Sequence, residues 1–309
     1  MAEDVITVKD LVKVYGDVKA VNGITFAVEK GEVFAFLGPN GAGKTTTVEM
    51  IETIRTPTSG EMSILGMDVK KDRMEILKRI GVLPQEFSSF DRLTVEETLK
   101  YYSRLFCTEC DVDRLIKLVN LEEHRKKLYI NLSGGLKQRV GIAVSLVNNP
   151  EIVFLDEPTT GLDPRARHEV WDVIKGLRKE GKTIFLTTHY MEEAEVLADY
   201  IAIISKGRII AYGTTTELID KHFKSVKVTI KGGTEGIDRL AFKMGMPIQS
   251  QERGSITVEA RGNDQIVEFL NALKANSISY MSMDIRKPNL EELFLVLTGE
   301  SLVDKEAPK

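Results

Sequence analysis

The chain has 309 residues, 42% hydrophobic and 28% charged, with a formal net charge of −4. This is ordinary globular composition, and the acidic balance argues against a nucleic-acid binder, which usually shows a strongly basic face. Two cysteines, Cys107 and Cys110, cannot supply a disulfide framework and point to a reducing compartment.

The N-terminal "MAEDVITVKD" lacks a basic stretch followed by an apolar one, so it does not read as a signal peptide. Apolar runs such as "VGIAVSLV" and "YIAII" fall well short of the about 20 residues a membrane span needs. "EVFAFLG" reads as a buried strand, "GPNGAGKT" as a glycine loop, and "KTTTVEMIETI" as the helix after it. From about 88 to 148 a helical insert is predicted, with Thr94 and Glu97 as a capping box opening "VEETLKYYSRLF" and "DVDRLIKLVNL" following. At its far end Ser133, Gly134 and Gly135 precede an apolar, helix-like run.

"IVFLDEP" and "TIFLTTH" are further buried strands that end in polar residues. Near-continuous apolar strands alternating with helices predict a mostly parallel sheet covered on both faces. Ligands gather at the carboxyl ends of such strands, so Asp156, Glu157, Thr188 and His189 belong near the glycine loop. After "YGTTTELIDKHF" the texture changes to "VKVTI", "GIDRLAFKMG", "SITVEA", "DQIVEFLNALKAN", "ISYMSMDI" and "NLEELFLVL". This predicts a small α+β (ferredoxin-like) βαββαβ domain over 221–300, ending in a helix. On that helix Leu290, Leu293, Phe294 and Leu297 share a face, and Asn289 and Glu292 are placed as a cap. Lys227 and Lys231 alternate with Val226, Val228 and Ile230, as on the solvated face of a strand. The tail 301–309 reads as disordered.

Gly38 to Thr45 match G-x-x-x-x-G-K-[ST] between a strand and a helix. Gly38, Pro39, Asn40, Gly41, Ala42, Gly43, Lys44, Thr45 and Thr46 form a phosphate cradle, in which every residue but Pro39 offers a backbone N–H. Lys44 reaches the β and γ oxygens, and the Thr45 hydroxyl ligates Mg²⁺. Asp156 holds the Mg²⁺ shell, and Glu157 is the candidate general base for attacking water. A Ser-Gly-Gly turn opening a helix also suits an anion, so the chain carries two phosphate-seeking turns.

The order "GPNGAGKT", "LPQ", "LSGGLKQR", "IVFLDEP", "TTGLDP" and "LTTH" resembles the ATP-binding-cassette ATPases over residues 4–218. The resemblance implies an α/β P-loop NTPase cassette over 4–220 that hydrolyses ATP with Mg²⁺. By its motifs, Tyr15 is the aromatic that stacks on adenine and Gln85 touches Mg²⁺. Ser133, Gly134 and Gly135 are the signature, Asp163 is the dimer-loop aspartate, and His189 contacts the γ-phosphate. Each has a plainer alternative: a strand aromatic, a loop amide, a helix cap at Asp163, a structural histidine. Leu136 stands where the commonest signature has Gln.

The resemblance further implies that two cassettes, as homodimer or heterodimer, meet head to tail, the signature of one closing on the ATP of the other. It implies a cytoplasmic motor subunit, held on the inner face of the cell membrane by separate integral-membrane permease subunits. The C-terminal "KPNLEELFLVLTGE" resembles cassettes of drug, sodium or polysaccharide exporters, which implies export. "EFSSFDRLT", with Phe87 and Phe90, is the expected groove for a permease helix, the alternative being a plain loop that packs its own aromatics. A soluble nucleotide-gated clamp or assembly protein is the alternative, and a switch without turnover is a third. Cys107 and Cys110 form a lone C-x-x-C, short of the four ligands a zinc site needs, and read as incidental thiols.

Overall fold

The computed structural model describes residues 3–106, 108–232 and 235–299. Cys107 and the tail 301–309, on which two expectations fall, lie outside the described residues. The chain divides into two compact units at Thr215/Thr216.

The first unit opens with β1 (Asp4–Tyr15) and β2 (Val18–Glu29), then the short buried β3 (Val33–Leu37) and the helix α1 (Lys44–Ile51). After β4 (Ser59–Ile64), β5 (Met67–Asp68) and α2 (Arg73–Arg79) comes β6 (Ile80–Leu83). The insert is α3 (Val95–Leu105), α4 (Val112–Leu118) and α5 (Gly134–Ser145). The chain continues through β7 (Ile152–Asp156), α6 (Pro164–Lys179), β8 (Thr183–Thr188), α7 (Met191–Leu197), β9 (Tyr200–Ser205) and β10 (Arg208–Gly213).

Two sheets result: an antiparallel one ordered β2-β1-β4-β5, and a six-stranded one ordered β10-β9-β3-β8-β7-β6. Within the second, β6 to β9 and β3 pair in parallel and only β10 runs antiparallel. Strands β3, β7 and β8 are buried at every residue, because both faces are covered. One face packs Phe34, Phe36, Phe154 and Phe185 with Phe26 of β2, ring centroids 5.2–6.1 Å apart. The other packs Val153, Leu155, Ile184 and Leu186 with the insert and α6.

Local chemistry sets the helix starts. The Thr94 hydroxyl accepts from the Glu97 amide, and the Glu97 carboxylate accepts from the Thr94 amide. Ser133 caps α5 and Asp163 caps α6, with Pro164 at its first position. Of the two aromatics in the expected groove, Phe87 is half-buried. It packs inward with Tyr102 and Tyr129, at 6.4 Å from each, while Phe90 stays outside against Tyr101 at 5.0 Å. Among the described residues no helix is long and apolar enough to cross a membrane.

The second unit takes over within α8 (Thr215–His222) and runs β11 (Val226–Lys231), α9 (Ile237–Lys243), β12 (Ile248–Glu252), β13 (Ser255–Ala260), α10 (Gly262–Ala275), β14 (Ser282–Arg286) and α11 (Leu290–Thr298). Its antiparallel sheet is ordered β12-β13-β11-β14, the ferredoxin-like arrangement. Val228, Ile230, Ile256 and Val258 form one face over Ile237, Ile266 and Phe269 from the helices. Asn289 caps α11, on which Leu290, Leu293 and Phe294 are buried and Leu297 is half-buried. Lys227 is not simply solvated: its ammonium lies 2.8 Å from Glu292.

Candidate nucleotide site

The glycine loop joins the buried end of β3 to α1, above the carboxyl ends of the parallel strands. Gly43 sits at φ 106°, and a Cβ there would run into the Ala20 carbonyl, so only glycine fits. The Gly38 amide donates to the Thr188 carbonyl at 3.3 Å, which ties the loop to β8. Within the loop Pro39 is half-buried, Asn40 exposed and Ala42 buried; Gly41 has a positive φ of 77°. The Lys44 ammonium is buried and donates to the Gly38 carbonyl at 2.8 Å and the Pro39 carbonyl at 3.3 Å. Thr45, in the first helical turn, is exposed, and Thr46 is half-buried.

Four side chains converge on Glu157, which is 8% exposed. Lys44 Nζ lies 3.2 Å from Oε1, and His189 Nδ1 lies 3.1 Å from Oε2. The Gln85 amide donates to Oε2 at 3.3 Å, and the Thr160 hydroxyl does so at 3.1 Å. Burial alone would raise this carboxyl. The His189 bond and the Lys44 charge overcome it and hold the carboxyl at about 2, so it is ionised at neutral pH. The backbone of Glu157 is left-handed, at φ 47°, a conformation costing about 1–3 kcal/mol in a non-glycine residue. Its amide is held by the Thr187 hydroxyl at 3.0 Å and the Thr187 carbonyl at 3.1 Å.

Asp156 precedes it, and its Oδ1 accepts from the Thr187 hydroxyl. Burial raises the Asp156 carboxyl, opposed by that bond. Thr45, Gln85 and Asp156 offer only oxygen donors for a cation, a set that fits a hard ion such as Mg²⁺. A bound ion of that kind would neutralise charge on phosphate oxygens.

Tyr15 ends β1 at 40% exposure, with Lys13 Nζ 5.1 Å and the Arg55 guanidinium 5.8 Å from its ring centroid. Ser133 and Gly134 are exposed at the head of α5, while Gly135 is buried. A Cβ on Gly135 would come within 2.7 Å of the Ala166 side chain, so glycine lets α5 press against the first turn of α6. Asp163 is exposed and its Oδ1 accepts from the Ala166 amide at 3.0 Å.

Lys44, Gln85, Glu157 and His189 thus meet directly; Tyr15, Ser133 and Asp163 are surface groups that do not touch this cluster in the hydrogen bonds described. Sequence reasoning missed Thr160 and Thr187. Both stand inside motifs already singled out, "TTGLDP" and "LTTH", and their motif membership was the available signal.

Residues 21–160 match the ABC transporter family model. Over 308 residues the chain is 35% identical to a linearmycin resistance ATP-binding protein of Bacillus subtilis strain 168, covering 96% of this chain and 99% of that one. It is 38% identical over 305 residues to a Nod factor export ATP-binding protein of Rhizobium meliloti strain 1021, covering 97% of this chain and 89% of the relative. A solved dimer of an ATP-binding cassette in a post-hydrolysis state, bound to ADP and Pi, superposes with a TM-score of 0.61 at 26% identity. That match covers 68% of this chain and 98% of the solved one.

Proposed function

This chain belongs to the ABC transporter family and is an ATP-binding ATPase, and we propose that it drives a membrane exporter as one half of a head-to-tail cassette dimer. The observation that carries this reading is the meeting of Lys44, Gln85 and His189 on the ionised Glu157 carboxylate. The glycine loop and Lys44 bind the ATP phosphates, with Thr45, Gln85 and Asp156 holding Mg²⁺. Tyr15 stacks on adenine. Glu157 takes a proton from the attacking water, and His189 orients the γ-phosphate.

Lys44 holds the Glu157 carboxyl low while the two are paired. Drawing the ammonium onto a phosphate removes that influence and makes Glu157 a better base when substrate is present. Ser133, Gly134 and Gly135 serve the partner's nucleotide, with Asp163 at the dimer contact. The names of the relatives support export, and a separate permease on the inner face of the membrane would receive the motion. Phe90 and Tyr101, both more than a third exposed, supply the apolar surface for a permease helix. Residues 221–300 act as an accessory domain apart from the nucleotide chemistry.

A mixed dimer tests the shared site. One chain carries Lys44→Ala, the other Ser133→Arg, whose bulk blocks a turn that must approach phosphate through bare backbone. In a Glu157→Gln background, each homodimer should trap no nucleotide and the mixed dimer about one. Verified mixed dimers that trap none would overturn the shared site.

A further inference from the structure

Beyond the glycine loop and Glu157, the most deeply buried acid of the first unit is Glu193, in α7, four residues after His189; it is fully buried. Its Oε1 accepts two hydrogen bonds, from the Thr159 hydroxyl at 2.8 Å and the Trp171 indole N–H at 2.9 Å. Thr159 is itself fully buried, and Trp171 is 2% exposed. Thr159 stands two residues after Glu157 and four before Asp163. Trp171 lies in α6, the helix that Asp163 caps. One carboxylate therefore anchors the loop leaving the catalytic Glu157, the helix behind the dimer-loop aspartate, and the segment following His189.

A second link runs beside it. The Arg167 guanidinium of α6 sits 4.4 Å over the Tyr190 ring, and Tyr190 packs on the His189 ring at 4.1 Å. The segment after His189 is thus held to α6 at two points, Tyr190 and Glu193. A buried carboxyl is costly unless hydrogen-bonded, and Oε2 of Glu193 already lacks a partner among the described residues, so removing either donor to Oε1 worsens the deficit and frees the loops to shift. Glu157 and His189 lie 3.1 Å apart across this gap, a spacing that small loop displacements would spoil.

We propose that Glu193 is a positioning residue for ATP hydrolysis, clamping the loop after Glu157 to the segment after His189, with Trp171 as its built-in reporter. It touches neither nucleotide nor reacting atoms and acts through the spacing of the two groups that do. The proposal rests on the assignment of Glu157 and His189 to hydrolysis.

The test uses the full chain with Thr159→Val, Thr159→Ser and Glu193→Gln. Displacement of a reacting group by about 1 Å can cost about a hundredfold, and loss of one anchor should lower kcat about tenfold in Thr159→Val. KM for ATP should stay within twofold, because the phosphates and adenine are held elsewhere. Thr159→Ser restores the hydroxyl and should recover at least half of the wild-type kcat. Trp171 is the chain's single tryptophan, so its emission reads the clamp without needing turnover. ATP should change that emission in the wild type, and the response should fall by at least half in Thr159→Val. Should Thr159→Val not fold, Glu193→Gln, which keeps size and one acceptor oxygen, carries the same comparison. A kcat within twofold of wild type, a serine variant as impaired as the valine one, or a wild-type emission indifferent to bound ATP each overturns the proposal. A wild type that shows the emission response but no hydrolysis supports the clamp and counts instead against the ATPase assignment.

Discussion

Strands β3, β7 and β8 of the first unit are buried at every position, whereas β13 of the second alternates between buried and half-buried residues and β12 is exposed throughout. The difference extends to polar groups. Every buried polar or charged residue among those described, Lys44, Asp156, Glu157 and Glu193 included, lies in the first unit. The second unit buries only apolar side chains. A parallel sheet covered on both faces leaves the strand ends as the place where polar groups can gather, and burial there forces them into pairs. Those pairs are the site. An antiparallel sheet with one open face needs no such pairs, and its core does nothing but pack.

The sharpest way to break the comparison is Glu157→Gln. The amide cannot act as a base, so kcat should fall about 10²- to 10⁴-fold while ATP binding, followed by fluorescent-analogue titration, persists. Turnover unchanged in this variant would remove the base assignment. The counterpart in the second unit is Phe269→Ala. Phe269 is fully buried among Ile256, Val258 and Leu273, and its loss should cost that unit about 3–5 kcal/mol. Calorimetry should show a lowered transition for that unit, with ATP affinity unaltered. A chain ending at Asp220 should likewise fold and bind ATP, since every nucleotide motif precedes that point. Lost affinity in a folded truncation would mean that the two regions share the site.

A smaller effect separates the units by pH. Burial first, and then the Asp156 and Glu49 charges, raise the Glu52 carboxyl to about 8. The folded state thus holds a proton that the unfolded chain releases near 4.5. Stability from this group is full below about pH 4.5 and declines as pH rises toward 8. Glu52→Gln should therefore raise the melting temperature of the first unit at pH 8 and leave it nearly unchanged at pH 4.5. An equal shift at both values would show that Glu52 does not titrate in this window. The smallest effect is expected at Lys227→Ala, which breaks the half-exposed pair with Glu292. Chemical denaturation should register about 0.2–1 kcal/mol in the second unit and no change in turnover.

Much of this protein was legible in the residue order because the relevant physics is local. A glycine loop between an apolar strand and a helix, the Thr94–Glu97 box, and the caps at Asp163 and Asn289 each depend on neighbours a few positions away. Periodicity likewise placed Leu290, Leu293 and Phe294 on the inner face of α11. Composition does not say which of two nearby aromatics turns inward; for Phe87, Tyr102 and Tyr129 from distant turns of the insert decide it. The left-handed backbone at Glu157 was equally invisible, because Thr187 on a neighbouring strand holds it there. The same holds for the Glu193 clamp, whose donors come from a loop and a helix. Sequence determined which residues could do chemistry, through motifs whose spacing is set by a single turn. Tertiary structure alone decided which of them meet, because burial pairs polar groups across elements and makes an unpaired one costly.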